Sequence, residues 1–343
     1  MTRAIISEPN FTSRLTPAHP GQSATLEIAL AVHLAPMDPS KPYSPGTSDA
    51  PWPFSEFLSP DARQKIWPNK ANLNFQTYLA NTPQEMKKGF VFDGDNPPTR
   101  FAARRWMRGE FEDFKATFKR VVELSWNNQI VMLPPDDPAD GLDDAQYLEF
   151  VSNPNIAAHA VGSLKIILVE DLAHANVAMQ VVRLDRDENV YAGKRFVMAL
   201  PGEGEFRSWA WTITNEDVFR KTTTSYRWPN VTMSQIAAAH EIGHWLGRPV
   251  ALGDMDRYVE HIDAKKYPKT HPDYDELQYG GTASRRLSLL GVGSLVTEYD
   301  ARPWLNRIRR HANALFGWQL VHRVNFVGIV PVSARQKRLT GRP

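Results

Sequence analysis

The chain has 343 residues, of which 42% are hydrophobic and 10% aromatic, enough apolar material for one large domain or two smaller ones. Its net charge of +2 gives no electrostatic reason to expect a nucleic acid or an anionic membrane as partner. Because the sequence contains no cysteine, it excludes disulfides, cysteine zinc ligands and a cysteine nucleophile. The sequence shows neither a signal peptide nor a transmembrane segment, so we expect a soluble protein that is cytoplasmic or exported without a cleavable signal.

Residues 1–98 form a proline-rich region whose role the sequence does not indicate. Aliphatic and β-branched residues predict one strand there, at 24–34, and Pro60 in the first turn favours a short helix at 59–67. A dense turn signal at 93–98 predicts a boundary, so that residues 99–343 form a second region.

From residue 99 the sequence predicts alternating types of regular structure. Phenylalanine and valine at helical spacing predict a long amphipathic helix over 109–126. Strands are predicted at 130–133, 164–170, 177–184, 190–200, 208–214 and 324–330. A further helix is predicted from Pro303 to Gly317. A long helix, several strands and a later helix predict an α+β fold.

Two charged segments have simple interpretations. Five aspartates between Pro135 and Asp144 predict an exposed acidic loop, with a structural calcium site as the alternative. The basic residues of 335–338, together with Arg342, favour a solvated terminus, with nucleic-acid contact as the alternative.

The segment 236–247 contains one H-E-x-x-H motif, formed by His240, Glu241 and His244. Positions i and i+4 share one face of a helix, so both imidazoles can reach one zinc ion while the carboxylate addresses a water. Thr232 and Gln235 fit a capping box and predict the helix start. Gly247 stands where a left-handed residue would end the helix.

Gly247 extends the motif to H-E-x-x-H-x-x-G, and the chain resembles the metzincin group of zinc metallopeptidases over roughly residues 100–320. The resemblance implies a zincin-like catalytic domain within 99–343, with a twisted mixed sheet, a long helix, an active-site helix and a C-terminal subdomain. Val250 occupies the place of the third histidine of that group. The segment 288–293 is similar to the approach to the methionine turn, with Leu290 in place of methionine.

The third zinc ligand has several candidates. We predict His261, supplied by a loop inserted after Gly247. The alternatives are an aspartate of the loop 254–263, Glu298 and His271, since carboxylate oxygen and imidazole nitrogen both bind zinc.

The resemblance implies a zinc-dependent endopeptidase acting on protein or peptide substrates. Glu241 would be the general base, and Tyr279 and Tyr299 are candidate donors to the developing oxyanion. We expect neither nucleic acid nor membrane as partner. Two alternatives stay open: a non-catalytic binding or assembly protein on a zincin scaffold, and a metallopeptidase delivered as a toxin.

Overall fold

The computed structural model describes residues 5–7, 11–36, 89–92, 100–127, 129–184, 197–199, 209–224, 232–247, 287–291, 293–298, 300–314, 316–322 and 330–341. The chain divides into two compact units. Unit 1 contains residues 1–31, 119–167 and 221–343, and unit 2 contains residues 32–118 and 168–220.

The helices are α1 (Arg108–Trp126), α2 (Asp144–Leu148), α3 (Ala237–Leu246), α4 (Arg302–Ala312) and α5 (Ala334–Leu339). The strands are β1 (Ile6–Ser7), β2 (Thr12–Thr16), β3 (Ala24–Pro36), β4 (Gly89–Phe92), β5 (Arg100–Arg104), β6 (Ile130–Leu133), β7 (Ala160–Leu168), β8 (Val177–Leu184), β9 (Val197–Ala199), β10 (Trp209–Thr214), β11 (Lys221–Thr224), β12 (Thr232–Gln235) and β13 (Gln319–His322). Short 3-10 turns lie at Pro138–Asp140 and Leu172–His174.

In unit 1, the strand order is β13-β6-β7-β3. Strand β6 is antiparallel to both β7 and β13, and β2 is antiparallel to both β1 and β3. Strands β11 and β12 form a separate antiparallel pair. This pair leads directly into α3, so it sets where the histidine helix begins.

In unit 2, residues 32–36 of β3 run parallel to β8, and β8 runs parallel to β10. Strand β9 is antiparallel to β10, and β5 is antiparallel to both β4 and β8. The unit therefore contains a mixed arrangement of parallel and antiparallel strands.

The two longest elements follow from their apolar periodicity. Along β3 the buried positions alternate with less buried ones, which is the period of a strand with one face in the core. Along α1 the buried apolar side chains are Phe111, Phe114, Phe118, Val122 and Trp126, spaced by three or four residues. The division between the units falls within both elements.

The α+β prediction with a mixed sheet is confirmed. The predicted strands at 130–133 and 177–184 match β6 and β8, and the helix predicted over 109–126 is α1. Strand β7 begins and ends earlier than predicted, and α4 ends before Asn313, which adopts a left-handed conformation with φ 53°. Among the described residues, no helix is both long and apolar enough to cross a membrane.

Several predicted features lie outside the described residues. They are the helix at 59–67, the turn at 93–98 with its domain boundary, most of the strand at 190–200, and nearly all of the strand at 324–330. The division into residues 1–98 and 99–343 stays a prediction.

The interpretation of residues 335–338 as a solvated terminus is wrong. Arg335 lies on helix α5 and is 5% exposed. Its guanidinium donates to Asp144 Oδ1 at 3.0 Å, to the Pro135 carbonyl at 3.1 Å and to the Leu142 carbonyl. A long side chain with five N–H donors can be buried when carbonyl and carboxylate oxygens surround it.

The aspartates of 136–144 have structural roles. The side chains of Asp137 and Asp143 accept hydrogen bonds from the first turns of the 3-10 helix and of α2. Asp136 accepts from the Tyr147 hydroxyl at 3.1 Å, and burial is the largest of the effects that raise the pKa of Tyr147 to about 12. The contacts of this segment are therefore those of helix caps, a tyrosine partner and the Arg335 guanidinium.

Candidate metal centre

Helix α3 carries the H-E-x-x-H motif and is buried on nearly all sides. Its first residues are three alanines, which are small enough for neighbouring elements to approach the backbone closely. The predicted capping box is wrong, because Thr232 and Gln235 belong to β12 and Ile236 precedes the helix without a side-chain cap. The backbone of residues 232–235 instead pairs with β11 in an antiparallel arrangement, so it does not form the first turn of a helix.

The end of helix α3 also differs from the prediction. Gly247 follows the last helical residue, but its φ is −86°, so it is not left-handed. Its amide instead donates to the Gly243 carbonyl at 3.1 Å and continues the helical hydrogen bonding. Glycine is therefore not required at this position by backbone conformation.

Gly243, inside the motif, is required by packing. A Cβ atom placed there would lie 2.4 Å from Leu290 Cδ2 and 2.6 Å from Trp126 Cζ2. Trp126 also donates its indole N–H to the Ala239 carbonyl of α3 at 3.0 Å, and its ring stacks on Trp304 at 5.3 Å. The helix is thus held between α1 and the turn that contains Leu290.

The turn at residues 288–291 provides the oxygen that orients His240. His240 Nδ1 lies 2.9 Å from the Leu289 carbonyl oxygen. A metal-binding imidazole commonly donates its second nitrogen to a backbone carbonyl, which fixes the ring and its tautomer. Leu290, predicted at the methionine-turn position, is buried against the helix next to this carbonyl.

Asp300 holds the turn in place from the other side. Its carboxylate accepts from Ser288 Oγ at 2.7 Å, from the Leu290 amide at 3.3 Å, and from the amide and hydroxyl of Thr297 at 2.7 and 3.1 Å. Asp300 is completely buried. This burial raises the pKa of the Asp300 carboxyl, although the four hydrogen bonds act in the opposite direction.

The two histidines of the motif point their Nε2 atoms at each other. These atoms are 2.9 Å apart, and the rings meet edge to face with centroids 4.6 Å apart. Glu241 Oε1 lies 3.9 Å from His240 Nε2, and the Glu241 side chain is buried. Two nitrogens bound to one tetrahedral zinc are about 3.3 Å apart, so this donor pair fits the ion with an adjustment of a few tenths of an ångström.

The other predicted site residues are not brought to this pair within the described structure. His261, Tyr279 and Tyr299 lie outside the described residues, as do the alternative ligands of 254–263 and His271. Glu298 is described and is exposed. In the parts of the chain that the structure describes, no group of three histidine, aspartate or glutamate side chains has the geometry to hold a metal ion.

The roles of two residues of the site, Gln235 and Asp300, were not predicted from the sequence. Gln235 was interpreted as part of a helix cap, and it instead reaches the turn and the His240 ring. Asp300 stands ten residues after Leu290, and no local pattern indicates that its carboxylate returns to that turn. Both roles arise from contacts between segments that are distant in sequence.

Comparison of the chain with protein-family models, with curated protein sequences and with solved structures gave no match. The metzincin resemblance therefore stays a prediction from the motif of helix α3 and the turn at Leu290.

Proposed function

We propose that the protein is a zinc-dependent endopeptidase with Glu241 as general base. The observation that carries the proposal is the 2.9 Å approach of His240 Nε2 and His244 Nε2 on a buried helix, with a carboxylate oxygen 3.9 Å from the first of them. Burying two imidazoles and a carboxylate together is costly unless hydrogen bonds, an ion pair or a bound metal ion compensate for the lost water. A zinc ion held there would supply Lewis-acid activation of a water and of the scissile carbonyl.

The residues of the chain have distinct tasks in this proposal. His240 and His244 hold the ion, and the predicted third ligand is His261. Glu241 accepts the proton of the attacking water and returns it to the departing amine, which is the work of a general base and then a general acid. Because Glu241 is only 8% exposed, bulk water has little access to compete with the bound one for this carboxylate. Tyr279 and Tyr299 stay the predicted oxyanion donors.

The zincin-like architecture is part of the same proposal. It is supported by the long helix α1 packed on the motif helix through Trp126, and by the turn at Leu290 lying beneath that helix. The predicted substrate is a protein or peptide.

The first experiment measures zinc content and cleavage of unfolded protein substrates, with new chain termini detected by mass spectrometry. The wild-type chain should carry one zinc and cleave. Glu241→Ala should keep the zinc, and its cleavage rate should fall at least about 100-fold below that of the wild type, since a general base contributes roughly 10²–10⁴-fold. His244→Ala should lose zinc and activity together.

Glu112→Ala is the matched control, because Glu112 is an exposed carboxylate on α1 that pairs with Lys115. This variant should cleave at the wild-type rate. Cleavage by Glu241→Ala at the wild-type rate would overturn the proposal.

A non-catalytic binding or assembly protein is the second candidate. It is favoured by one feature of the same geometry: the two Nε2 atoms can hydrogen-bond to each other, so the pair is satisfied without an ion. A chain that binds no zinc when zinc is in excess, with the His240–His244 hydrogen bond retained, would favour this candidate instead.

A further inference from the structure

Unit 2 contains a cleft lined by Trp106, by residues of α1 and β8, and by the segment 215–219 that follows β10. We call it the α1 cleft. Its volume is about 450 Å³, which lies within the range of roughly 300–1,000 Å³ that small-molecule sites occupy. None of its lining residues belongs to unit 1, which carries the motif helix. The α1 cleft is therefore a candidate binding site that the proposed zinc chemistry does not use.

Part of the lining is aromatic, and two of its rings are held in place by the fold. The centroids of the Trp106 and Phe114 rings are 5.2 Å apart, and the Trp106 indole N–H donates to the Val181 carbonyl at 2.8 Å. Phe219 also lines the cleft and is 52% exposed. The face of an aromatic ring carries negative charge density and attracts a cation that lies over it. These three rings therefore favour a ligand that combines an apolar part with a positive charge.

The ionisable residues of the lining are mostly acidic. Three carboxylates line the cleft against one guanidinium, that of Arg183, so the formal charge of the lining is −2. The carboxylates belong to Glu110, Asp113 and Glu216. Arg183 lies 3.6 Å from Glu110 and 5.6 Å from the centroid of the Trp106 ring. A guanidinium of the chain itself is thus already bound by one carboxylate and one aromatic ring of this cleft.

Glu216 is the most buried of the three carboxylates, with 7% of the residue exposed. Its Oε1 atom accepts a hydrogen bond from the Asn215 side-chain amide at 2.7 Å. Because the amide is neutral, this bond orients the carboxylate without cancelling its charge. A carboxylate that is largely removed from water gains more from an approaching cation than an exposed one does. Glu216 should therefore contribute more to the binding of a cation than the exposed Asp113.

We propose that the α1 cleft binds an organic cation, a guanidinium or ammonium group on an apolar stem. Asp113 and Glu216 supply the negative charge that this group meets, and the aromatic rings of the lining contact its stem. A bare metal ion fits less well, because aromatic rings offer it no oxygen ligands and a hard cation such as Ca²⁺ takes about six to eight. The cation can belong to a free small molecule or to a basic side chain of a peptide, which share this chemistry. The proposal does not depend on the proposed zinc-dependent function.

The test is calorimetric titration of the full chain at low salt with two cations and their neutral counterparts. Butylguanidinium is compared with butylurea, and the peptide acetyl-alanyl-arginyl-alanine amide with the same peptide containing citrulline. At least one cation should bind about tenfold more tightly than its counterpart, because it meets two carboxylates. A preference for butylguanidinium shows that a free cation suffices, and a preference confined to the peptides identifies a peptide side chain. Equal binding within both pairs would overturn the proposal.

Variants at the carboxylates locate the binding in the α1 cleft. Glu216→Gln removes the charge and keeps the shape, so it should weaken cation binding by more than about fivefold, the upper end for an exposed ion pair. Asp113→Asn should weaken it about two- to fivefold, and this exposed position keeps the test valid if Glu216→Gln does not fold. Glu112→Gln is the matched control, because Glu112 lies on the same helix, pairs with Lys115 and does not line the cleft. An equal loss of affinity in Glu112→Gln would mean that net charge alone attracts the cation, and the proposal would be wrong.

Phe219→Leu tests the aromatic part of the lining, because leucine is apolar and has no ring. Affinity for the cation should fall about two- to fivefold, the scale of a cation–π contact at an exposed site, while affinity for the neutral counterpart changes less. Phe316→Leu is the control, at a phenylalanine of unit 1 that is 68% exposed, and it should change neither affinity. Cation binding that is unchanged in both Phe219→Leu and Asp113→Asn would contradict the proposal.

Discussion

Two of the buried polar clusters in the described part of unit 1 differ in how their hydrogen bonds are arranged. The histidine cluster consists of Gln235, His240 and His244 with the carbonyls of Leu289 and Gly291. The arginine cluster consists of Arg335 and Gln336 with their partners in residues 135–158. Both join segments that are far apart in the sequence.

In the arginine cluster, donors meet acceptors. The Arg335 guanidinium donates to carboxylate and carbonyl oxygens and lies over the Tyr147 ring, 4.6 Å from its centroid. The Gln336 side chain donates to the Ile156 carbonyl and accepts from the Ala158 amide at 2.7 Å. A buried network in which these contacts agree specifies one conformation.

In the histidine cluster, like groups face each other. Two Nε2 atoms lie 2.9 Å apart, and the Gln235 amide nitrogen and the Leu289 carbonyl oxygen both lie within 3 Å of His240 Nδ1. The arginine cluster is therefore satisfied within the fold, whereas the two facing Nε2 atoms are the donor pair on which the proposed zinc site depends.

The largest expected effect on stability is that of removing Arg335. Arg335→Leu leaves buried carbonyls and the Asp144 carboxylate without their donor, so the free energy of unfolding should fall by about 3 kcal/mol or more. Urea denaturation of the full chain measures the change. Arg338→Leu is the control, because Arg338 is exposed and 3.6 Å from Asp144, and it should cost less than about 1 kcal/mol. Equal effects of the two variants would show that the arginine cluster contributes no more than a surface ion pair.

Packing beneath the histidine cluster is tested by Gly243→Ala. The added Cβ would lie 2.4 Å from Leu290 Cδ2, so the variant should lose about 1–3 kcal/mol of stability and displace His240 and His244. Calorimetric unfolding and zinc affinity measure the two effects. Gly109→Ala on α1 is the matched control, because nothing lies within 4 Å of the added atom, and it should gain up to about 1 kcal/mol. If Gly243→Ala behaves like Gly109→Ala, the turn at Leu290 does not press against the helix.

The smallest expected effect concerns Asp300 and pH. Burial raises the pKa of this carboxyl, so the folded chain binds its proton more tightly than the unfolded chain does. Its contribution to stability is therefore complete below the unfolded pKa of about 3.9 and is lost as pH rises through the folded pKa, by at most about 1.4 kcal/mol per pH unit.

Asp300→Asn should abolish this slope, so the stability difference between wild type and variant should shrink as pH rises through that window. Denaturation at a series of pH values measures it. Asp171→Asn, at an exposed carboxyl, controls for the change in net charge. A difference that grows with pH would mean that the four hydrogen bonds of Asp300 outweigh its burial.

Part of the fold follows from local sequence. The strand period of β3 and the apolar stripe of α1 appear in the sequence because one face of each must be buried whatever its neighbours are. The H-E-x-x-H spacing likewise places two imidazoles on one helix face by helix geometry alone. The start of helix α3 could not be predicted in this way, since the pairing of β12 with β11 overrides the capping box that Thr232 suggests.

The burial of Arg335 likewise could not be predicted from local sequence. A lysine- and arginine-rich segment is most often solvated, and only the oxygens that residues 135–144 bring around Arg335 make its burial favourable. The sequence offers no local signal for a partner about 200 positions away.

By itself, the sequence determined that this protein has an α+β fold and that His240, Glu241 and His244 lie close together on one helix. Only the tertiary structure decided how those side chains are held. The carbonyl of Leu289, the amide of Gln235 and the carboxylate of Asp300 act on the site through hydrogen bonds. Such bonds depend on where the folded chain places each segment, and residue type and local spacing carry no record of that placement.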